Sequence, residues 1–357
     1  MKNSFHIILA GGSGMRFWPQ SRQDYPKQLL KIIGNESMIR LTVNRIKLLT
    51  QPSHILIVAS EQLCNKIIQE IPEIPNENFI IEPSGRNTAP AIGLAAIHVY
   101  NRDENAVMCI YPADHLIMET DKFCKTITKG IEFANNNFAL ITIGIKPTYA
   151  ATGYGYIQIN ENNMITKNIY KVKTFAEKPQ IESAKRFLRS GDFLWNSGIF
   201  IFKSESILLE IKSYMPELHE SLNIIYDSLK DNSYNIILDR EWEIIETESI
   251  DYGIMERAKN VYSIKADFNW NDMGTWKSVY DILSKDKDGM VLEGNTISLN
   301  SQNSIIYSKN KLTAVIGVKN LAIINTDDAT LVLPLEYAEN VKDIVNELKI
   351  SKMDDLL

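Results

Sequence analysis

Short apolar runs without polar alternation dominate the first part of this chain: Phe5 to Ala10, His54 to Ala59, Ala106 to Tyr111 and Phe138 to Ile143. Such runs are too brief for helices and too apolar for half-exposed strands, so they read as strands buried on both faces. The segments between them supply the cover. Ser37 to Leu49, Glu61 to Glu70, Ala89 to Tyr100 and Asp121 to Ala134 carry apolar residues at three-and-four spacing, with Asp121 placed as an N-cap. Strand, crossover helix and strand in alternation have parallel-sheet spacing and predict an α/β fold, a Rossmann-like doubly wound sheet. Ligands bind such sheets beyond the carboxyl ends of the strands, so the residues just after each run are the first candidates for function.

The texture changes from Gly153. Tyr156 to Ile159 and Tyr170 to Phe175 read as hairpin strands, Ile181 to Leu188 as a helix and Trp195 to Phe202 as a further strand, together an insertion covering the sheet edge. Farther on, Thr296 to Leu299, Ser304 to Tyr307, Thr313 to Val318, Leu321 to Ile324 and Thr330 to Leu333 are closely spaced β-like runs, the pattern of a small β domain or β-solenoid. The charged stretch Ser284 to Gly289 is the expected boundary. It divides a first domain over 1–285 from a small β-rich, β-helix-like domain with a terminal helix over 290–357.

Composition narrows the partners. Lys plus Arg 38 against Asp plus Glu 44 leaves a net charge of -6, which gives no overall pull toward nucleic acid or an anionic membrane. Small ligands are the expected partners. The odd set Cys64, Cys109 and Cys124 has no CxxC spacing and reads as buried reduced thiols, and the histidines lack HxxxH or HxH spacing, against zinc or haem. No run approaches the roughly 18 apolar residues of a membrane helix, and Phe5 to Ala10 is shorter than a signal-peptide core. A cytoplasmic protein is expected.

Leu9-Ala10-Gly11-Gly12-Ser13-Gly14-Met15-Arg16 follows the first strand. Its glycines let backbone amides approach a phosphate without Cβ interference, but a dinucleotide fingerprint would need a glycine at Phe17, and no Walker Lys-Ser/Thr follows. Arg16 and the Lys27 of Pro26-Lys27-Gln28 add cations suited to a triphosphate whose charge grows as a bridging oxygen leaves. A tight turn with surface cations would carry the same loop. Glu82 to Thr88 also sits between a strand and a helix, which places Ser84, Gly85, Arg86 and Asn87 at the sheet's ligand edge, with Asn87 also a possible helix cap. Asp114 and Asp272 each follow a β run, as turn or cap residues would. Glu177 and Lys178 set an acceptor beside a cation; adjacent strand residues face apart, so a kink must let both reach one ligand. Trp195, Trp270 and Trp276 read as packing rather than stacking surfaces.

Leu9 to Arg16 with Pro26 to Gln28 resembles the signature of sugar-1-phosphate nucleotidylyltransferases, and Glu82 to Ala91 is similar to the matching segment of mannose-1-phosphate guanylyltransferases, also called GDP-mannose pyrophosphorylases. The likeness runs on in order through Pro112 to His115, Phe175 to Pro179, Trp195 to Phe200 and Trp270 to Trp276, over nearly the whole chain. The resemblance implies a nucleotidyltransferase-type fold and GTP and mannose 1-phosphate as substrates, with GDP-mannose and pyrophosphate as products. It implies nucleotide binding by Leu9, Ala10, Gly11, Gly12, Gly14, Met15, Ser84, Gly85, Arg86, Asn87, Thr88, Pro112 and Asp114. Gly153, Tyr154, Gly155, Glu177, Lys178 and Asn196 would hold the sugar phosphate. Arg16, Lys27 and Lys178 would be catalytic, Mg²⁺ would sit on Asp114 and Asp272, and the protein would be a homodimer.

The implied reaction is in-line attack of a sugar-phosphate oxygen on the α-phosphorus. That oxygen is already anionic near neutral pH, because a phosphate monoester's second pKa is about 6, so no general base is needed. Alternatives are transfer from another nucleotide or to another sugar 1-phosphate, and a catalytically silent regulator that binds GDP-mannose. Met15 stands where the family usually has Thr, and Tyr25 where relatives often have Arg. Longer family members carry an isomerase domain beyond this point, so isomerase activity is not expected.

Overall fold

The computed structural model describes residues 3–12, 14–166 and 168–357; Ser13 of the glycine-rich motif lies outside them. The chain forms two compact units, the first comprising Met1–Gly11, Val43–Ala113 and Ile117–Trp270, the second Gly12–Thr42, Asp114–Leu116 and Asn271–Leu357. Among the described residues no helix is long and apolar enough to cross a membrane.

The first unit is built on nine strands: β1 (Ser4–Leu9), β2 (Ile55–Ala59), β3 (Phe79–Ile81), β4 (Val107–Pro112), β5 (Leu140–Ile145), β6 (Tyr156–Thr166), β7 (Ile169–Ala176), β8 (Phe193–Lys203) and β9 (Val261–Lys265). Their order across the sheet is β3-β2-β1-β4-β8-β5-β9-β7-β6. β1 runs parallel to β2 and β4, pairing Ile7 with Leu56 and with Ile110, and β5 runs parallel to β9. The doubly wound α/β sheet expected from the apolar runs is present, parallel among β1 to β4 and between β5 and β9, and mixed as a whole because β6, β7 and β8 pair antiparallel. The hairpin β6–β7 does lie at the edge. β8 does not: it runs antiparallel in the middle of the sheet, pairing Met108 with Phe202 on one side and Ile141 with Ile201 on the other. Its residues are apolar toward both faces, and only a central position buries both.

Helices close the two faces. Thr88–Arg102 and the helices Ser204–Tyr214, Pro216–Ser228 and Tyr234–Ile244 contribute Ile92, Leu94, Ile207, Leu222, Leu238 and Trp242 to one core with Ile7, Met108 and Phe202. Helix Thr120–Asn136 starts one residue earlier than Asp121 and has Glu119 at its N-cap without a side-chain cap bond, so Asp121 lies in its first turn instead. There an acidic residue complements the helix dipole rather than capping a specific N–H. The thiols of Cys64 and Cys109 are buried and unbridged, and Cys124 is partly buried.

In the second unit a four-stranded sheet runs β10 (Val291–Leu299), β11 (Ile305–Ile316), β12 (Leu321–Asn325) and β13 (Thr330–Pro334) in that order, parallel except for the last pair. The five β-like runs thus become four strands. β11 carries straight through the polar residues Lys309 to Lys311 because β10 pairs with both of its halves across an irregularity between Gly294 and Thr296. One face of this sheet, with Val291, Ile305, Tyr307 and Ile324, packs on Trp276 and on Phe17, Trp18 and Leu30 from the segment after the glycine-rich loop. That segment is pinned by Trp18 Nε1 donating to the Leu356 carbonyl (2.8 Å) and the Tyr307 hydroxyl donating to the Lys31 carbonyl (3.2 Å).

Gly144 in β5 has no room for a side chain, since a Cβ would stand 2.5 Å from Leu194 Cδ1 and 2.7 Å from Ser263 Oγ. Gly144→Ala is expected to lower unfolding stability by about 1–3 kcal/mol, the usual cost of overpacking a dense interior, read from urea midpoints.

Candidate active site

In the second unit the chain leaves Gly12 at φ 90 and Gly14 at φ 61, both in the left-handed region where glycine carries no penalty. Gly14 is irreplaceable for a second reason: a Cβ there would stand 2.5 Å from Lys27 Cβ. Its carbonyl accepts from the Phe17 amide (2.9 Å) and the Ser21 hydroxyl (2.8 Å), and the Gly12 carbonyl accepts from Gln28 Nε2 (3.2 Å). These bonds hold the loop against the Pro26-Lys27-Gln28 segment.

Lys27 is almost fully buried, 6% exposed. Its Nζ is paired with Asp114 Oδ2 at 2.7 Å and donates to the Asp272 carbonyl at 2.7 Å. Burial works against the Asp114 carboxylate, but the charges of Lys27 and His115 and the Lys27 hydrogen bond outweigh it, holding the group below the usual carboxylate range. Asp272 Oδ1 accepts from the Gly274 amide at 3.1 Å, a turn in which Met273 takes φ 49. Lys27, Asp114 and Asp272 line one cavity of about 380 Å³ with Gly14, Met15, Arg16 and Lys342. Arg16 pairs with Glu339 at 2.9 Å, both side chains well exposed. Exposed pairs are worth about 0–1 kcal/mol, so Arg16 can turn to an anion at little cost.

The remaining candidates belong to the first unit. Leu9 ends β1 opposite Pro112 of β4, and the Ala10 amide donates to the Val58 carbonyl at 2.9 Å. The Glu82 carboxylate, 7% exposed, lies beyond β3, with Oε1 3.8 Å from where a Cβ of Gly11 would be. Burial raises its pKa to about 7. After it, the Ser84 carbonyl accepts from Trp242 Nε1 (2.7 Å) and Arg86 Nη2 donates to the Glu243 carbonyl (3.0 Å). Among the described residues nothing stands within 4 Å of the space a Gly85 Cβ would fill. Asn87 caps Thr88–Arg102, its Oδ1 accepting from the Thr88 amide at 2.8 Å, while the Thr88 hydroxyl accepts from the Ile250 amide at 2.9 Å. Capping and an open, polar loop coexist here.

The kink that Glu177 and Lys178 require is present. β7 ends at Ala176 and Lys178 adopts φ 44, so the two side chains share one side and pair at 3.1 Å. Glu177 is nearly buried, its side chain 10% exposed, whereas that of Lys178 is 61% exposed. The Glu177 carboxylate occupies the space a Cβ of Gly155 would need. Asn196 donates its backbone amide to the Gly155 carbonyl at 2.8 Å, which joins the Gly153-Tyr154-Gly155 loop to β8. The Tyr154 ring meets Trp195 and Trp270 edge-on at centroid distances of 5.1 and 5.3 Å. Trp195 and Trp276 are buried, as packing residues should be.

Two residues of this region had no mark in the sequence. Asp251, whose Oδ1 accepts from Asn196 Nδ2 at 2.9 Å, has its pKa raised to about 7 by burial first and the Glu177 charge second. Glu256 accepts from the Glu177 amide at 3.0 Å. Neither belongs to a glycine-rich or strand-end motif, and only the pairing of distant segments brings them in. Glu82, by contrast, carried a legible signal, a carboxylate directly after a buried strand.

Residues 5–289 match the family described as Nucleotidyl transferase. This chain belongs to that family. Residues 294–348 match a MannoseP isomerase/GMP-like beta-helix domain. The chain is 37% identical over 362 residues to a mannose-1-phosphate guanylyltransferase of Escherichia coli, covering 97% of this chain and 75% of the relative. It is 37% identical over 348 residues to the mannose-1-phosphate guanylyltransferase of Salmonella typhimurium, covering 96% and 72%. A solved structure from Thermus thermophilus, named mannose-1-phosphate geranyltransferase, superposes with TM-score 0.88 at 27% identity over 97% of this chain and 99% of that one. The nucleotidyltransferase fold and the C-terminal β domain are therefore those of its relatives.

Two outcomes follow from the site's charges. Asp114→Ala leaves the Lys27 ammonium buried without its carboxylate and is expected to cost about 3 kcal/mol in urea unfolding, the scale of a broken buried pair. For Glu82, raised from 4.5 to about 7, the unfolded chain releases its proton first, so stability falls as pH rises through that window. Glu82→Gln removes that loss, and its urea midpoint relative to wild type should rise between about pH 5 and pH 8.

Proposed function

We propose that this nucleotidyltransferase makes GDP-mannose and pyrophosphate from GTP and mannose 1-phosphate. The observation that carries the reading is the buried Lys27 ammonium, fixed at 2.7 Å by Asp114 and the Asp272 carbonyl on a cavity shared with the Gly14 loop. It is a preorganised positive charge of the kind that stabilises a departing pyrophosphate. The relatives named mannose-1-phosphate guanylyltransferase support the choice of nucleotide and sugar.

In this reading a phosphate oxygen of mannose 1-phosphate attacks the α-phosphorus, the bond to the α–β bridging oxygen breaks, and pyrophosphate leaves. The attacking oxygen is already anionic, since a phosphate monoester's second pKa is about 6, so positioning and charge neutralisation suffice. Lys27 and Arg16 take the triphosphate and the leaving group, and the amides of Leu9 to Gly12, Gly14 and Met15 line it. Ser84 to Thr88 hold the base. The Glu82 carboxylate offers the acceptors that the N1 and N2 protons of guanine require. Glu177 and Asn196 take sugar hydroxyls, with Gly153 to Gly155 beside them, and Lys178 meets the sugar phosphate.

The residues present fit a magnesium ion. Asp114 and Asp272 both line one cavity and are oxygen-donor residues, and Mg²⁺ takes few protein ligands while keeping several waters. Such an ion would supply further positive charge at the α-phosphate. The reading also carries a cytoplasmic homodimer, with light scattering as the check on its size.

Pyrophosphate release with Mg²⁺, across GTP, ATP, CTP, UTP and dTTP and with mannose or glucose 1-phosphate, tests the assignment. GTP with mannose 1-phosphate should be strongly preferred, and preference for another pair would overturn it. Lys27→Ala should lower kcat by about 10²-fold or more, the scale of losing one preorganised charge; wild-type turnover in that variant would remove Lys27 from the leaving-group role.

A further inference from the structure

The segment that follows the helical region of the first unit makes a π-helical turn over Asp251–Met255. π-Turns are rare and recur at functional sites. This one reaches both halves of the proposed sugar-phosphate site. At its start Asp251 Oδ1 accepts from Asn196 Nδ2 (2.9 Å); next to it the Tyr252 hydroxyl donates to the Glu177 carbonyl (3.4 Å); beyond its end Glu256 Oε1 accepts from the Glu177 amide (3.0 Å).

The Asn196 amide is held in one orientation. Its Oδ1 accepts from the Thr142 hydroxyl at 2.7 Å and from the Gly198 amide at 3.3 Å, which uses both lone pairs. A flipped amide would set N–H groups against the Gly198 N–H and lose the bond from Thr142. Nδ2 must therefore face Asp251, and one of its two protons is spent there. The second is the hydrogen-bonding capacity the amide retains for a ligand. The Asp251 carboxylate lies near the nearly buried Glu177, whose charge acts on it.

We propose that Asp251 is a positioning residue for the sugar phosphate: it locks Asn196 so that the remaining Nδ2 proton is presented to a sugar hydroxyl. This rests on the transferase reading given above. The chemical class it selects is a polyhydroxylated ring, because a fixed amide donor flanked by carboxylates matches vicinal hydroxyls, each of which both accepts and donates. The charged groups facing Asp251 are Glu177 and Lys178 from the β7 end, and the first of them helps to raise its pKa to about 7.

The test is a set of steady-state and binding measurements on the full chain. Asp251→Ala should raise KM for mannose 1-phosphate about 10-fold, the scale of one lost hydrogen bond to a charged group, with KM for GTP within about twofold of wild type. Asp251→Asn, which keeps an acceptor for Nδ2, should recover most of that loss. Because Asp251 acts through Asn196, the double variant Asp251→Ala/Asn196→Ala should be no worse than Asn196→Ala alone. An unchanged KM for mannose 1-phosphate, an equal rise in both KM values, or full additivity in the double variant would overturn the proposal. Wild-type protein that releases no pyrophosphate from GTP and mannose 1-phosphate would sink the transferase reading instead. Calorimetric titration of mannose 1-phosphate into wild type and Asp251→Ala then reads the positioning role without turnover, and equal affinities would overturn it.

Discussion

A buried lysine organises the second unit. An ammonium removed from water costs several kcal/mol unless it is paired and hydrogen-bonded, so the chain must bring partners to it. Lys27 finds them in Asp114 and the Asp272 carbonyl, each at 2.7 Å, from segments far apart in the sequence. The second unit consists of those three stretches, Gly12–Thr42, Asp114–Leu116 and Asn271–Leu357. The apolar side chains that belong to each stretch, Phe17 and Trp18, Leu116, and Met273 and Trp276, then pack into one core with the C-terminal sheet. Charge pairing sets the register of the segments, and burial holds them there. The demand reaches back to Gly14, where any side chain would displace Lys27.

In the first unit the corresponding constraint is two-sided burial. Every residue of β5 and nearly every residue of β4 is buried, so neither strand tolerates a solvent-facing neighbour. β8 fills the position between them despite running the opposite way, because an apolar strand of either direction can satisfy the ladder. The consequence for function is local. β8 carries Asn196 into the sheet, and its irregular pairing with β5 between Thr142 and Gly144 sets the Thr142 hydroxyl against the Asn196 amide.

The carboxylates divide by environment. Asp114, beside an ammonium, is held below the ordinary range, whereas Asp251 and Glu82, where burial outweighs every other influence, are pushed to about 7. A paired carboxylate is a permanent charge suited to cation and phosphate chemistry. One raised to about 7 is protonated part of the time near neutral pH and can then donate as well as accept.

The apolar runs by themselves determined β1, β2, β4 and β5 to within a few residues, because period and length alone distinguish a doubly buried strand from a helix. The glycine-rich loop, Glu177 and Lys178 stood out for a local reason, a turn or a charge just after a strand end, whereas Lys27 lies far from any strand end and stood out only as a cation in a segment after the loop, with its burial set by the fold. Central placement of β8 was not legible, since direction and order in a sheet depend on which edges remain open once other strands have paired. Five β-like runs became four strands for a related reason, Lys309 to Lys311 being held extended by a partner strand. The Asp251 turn was least visible of all. Tyr252 and Glu256 resemble any surface residues until the fold sets them against Glu177, and a hydrogen bond between segments distant along the chain leaves no periodicity to read.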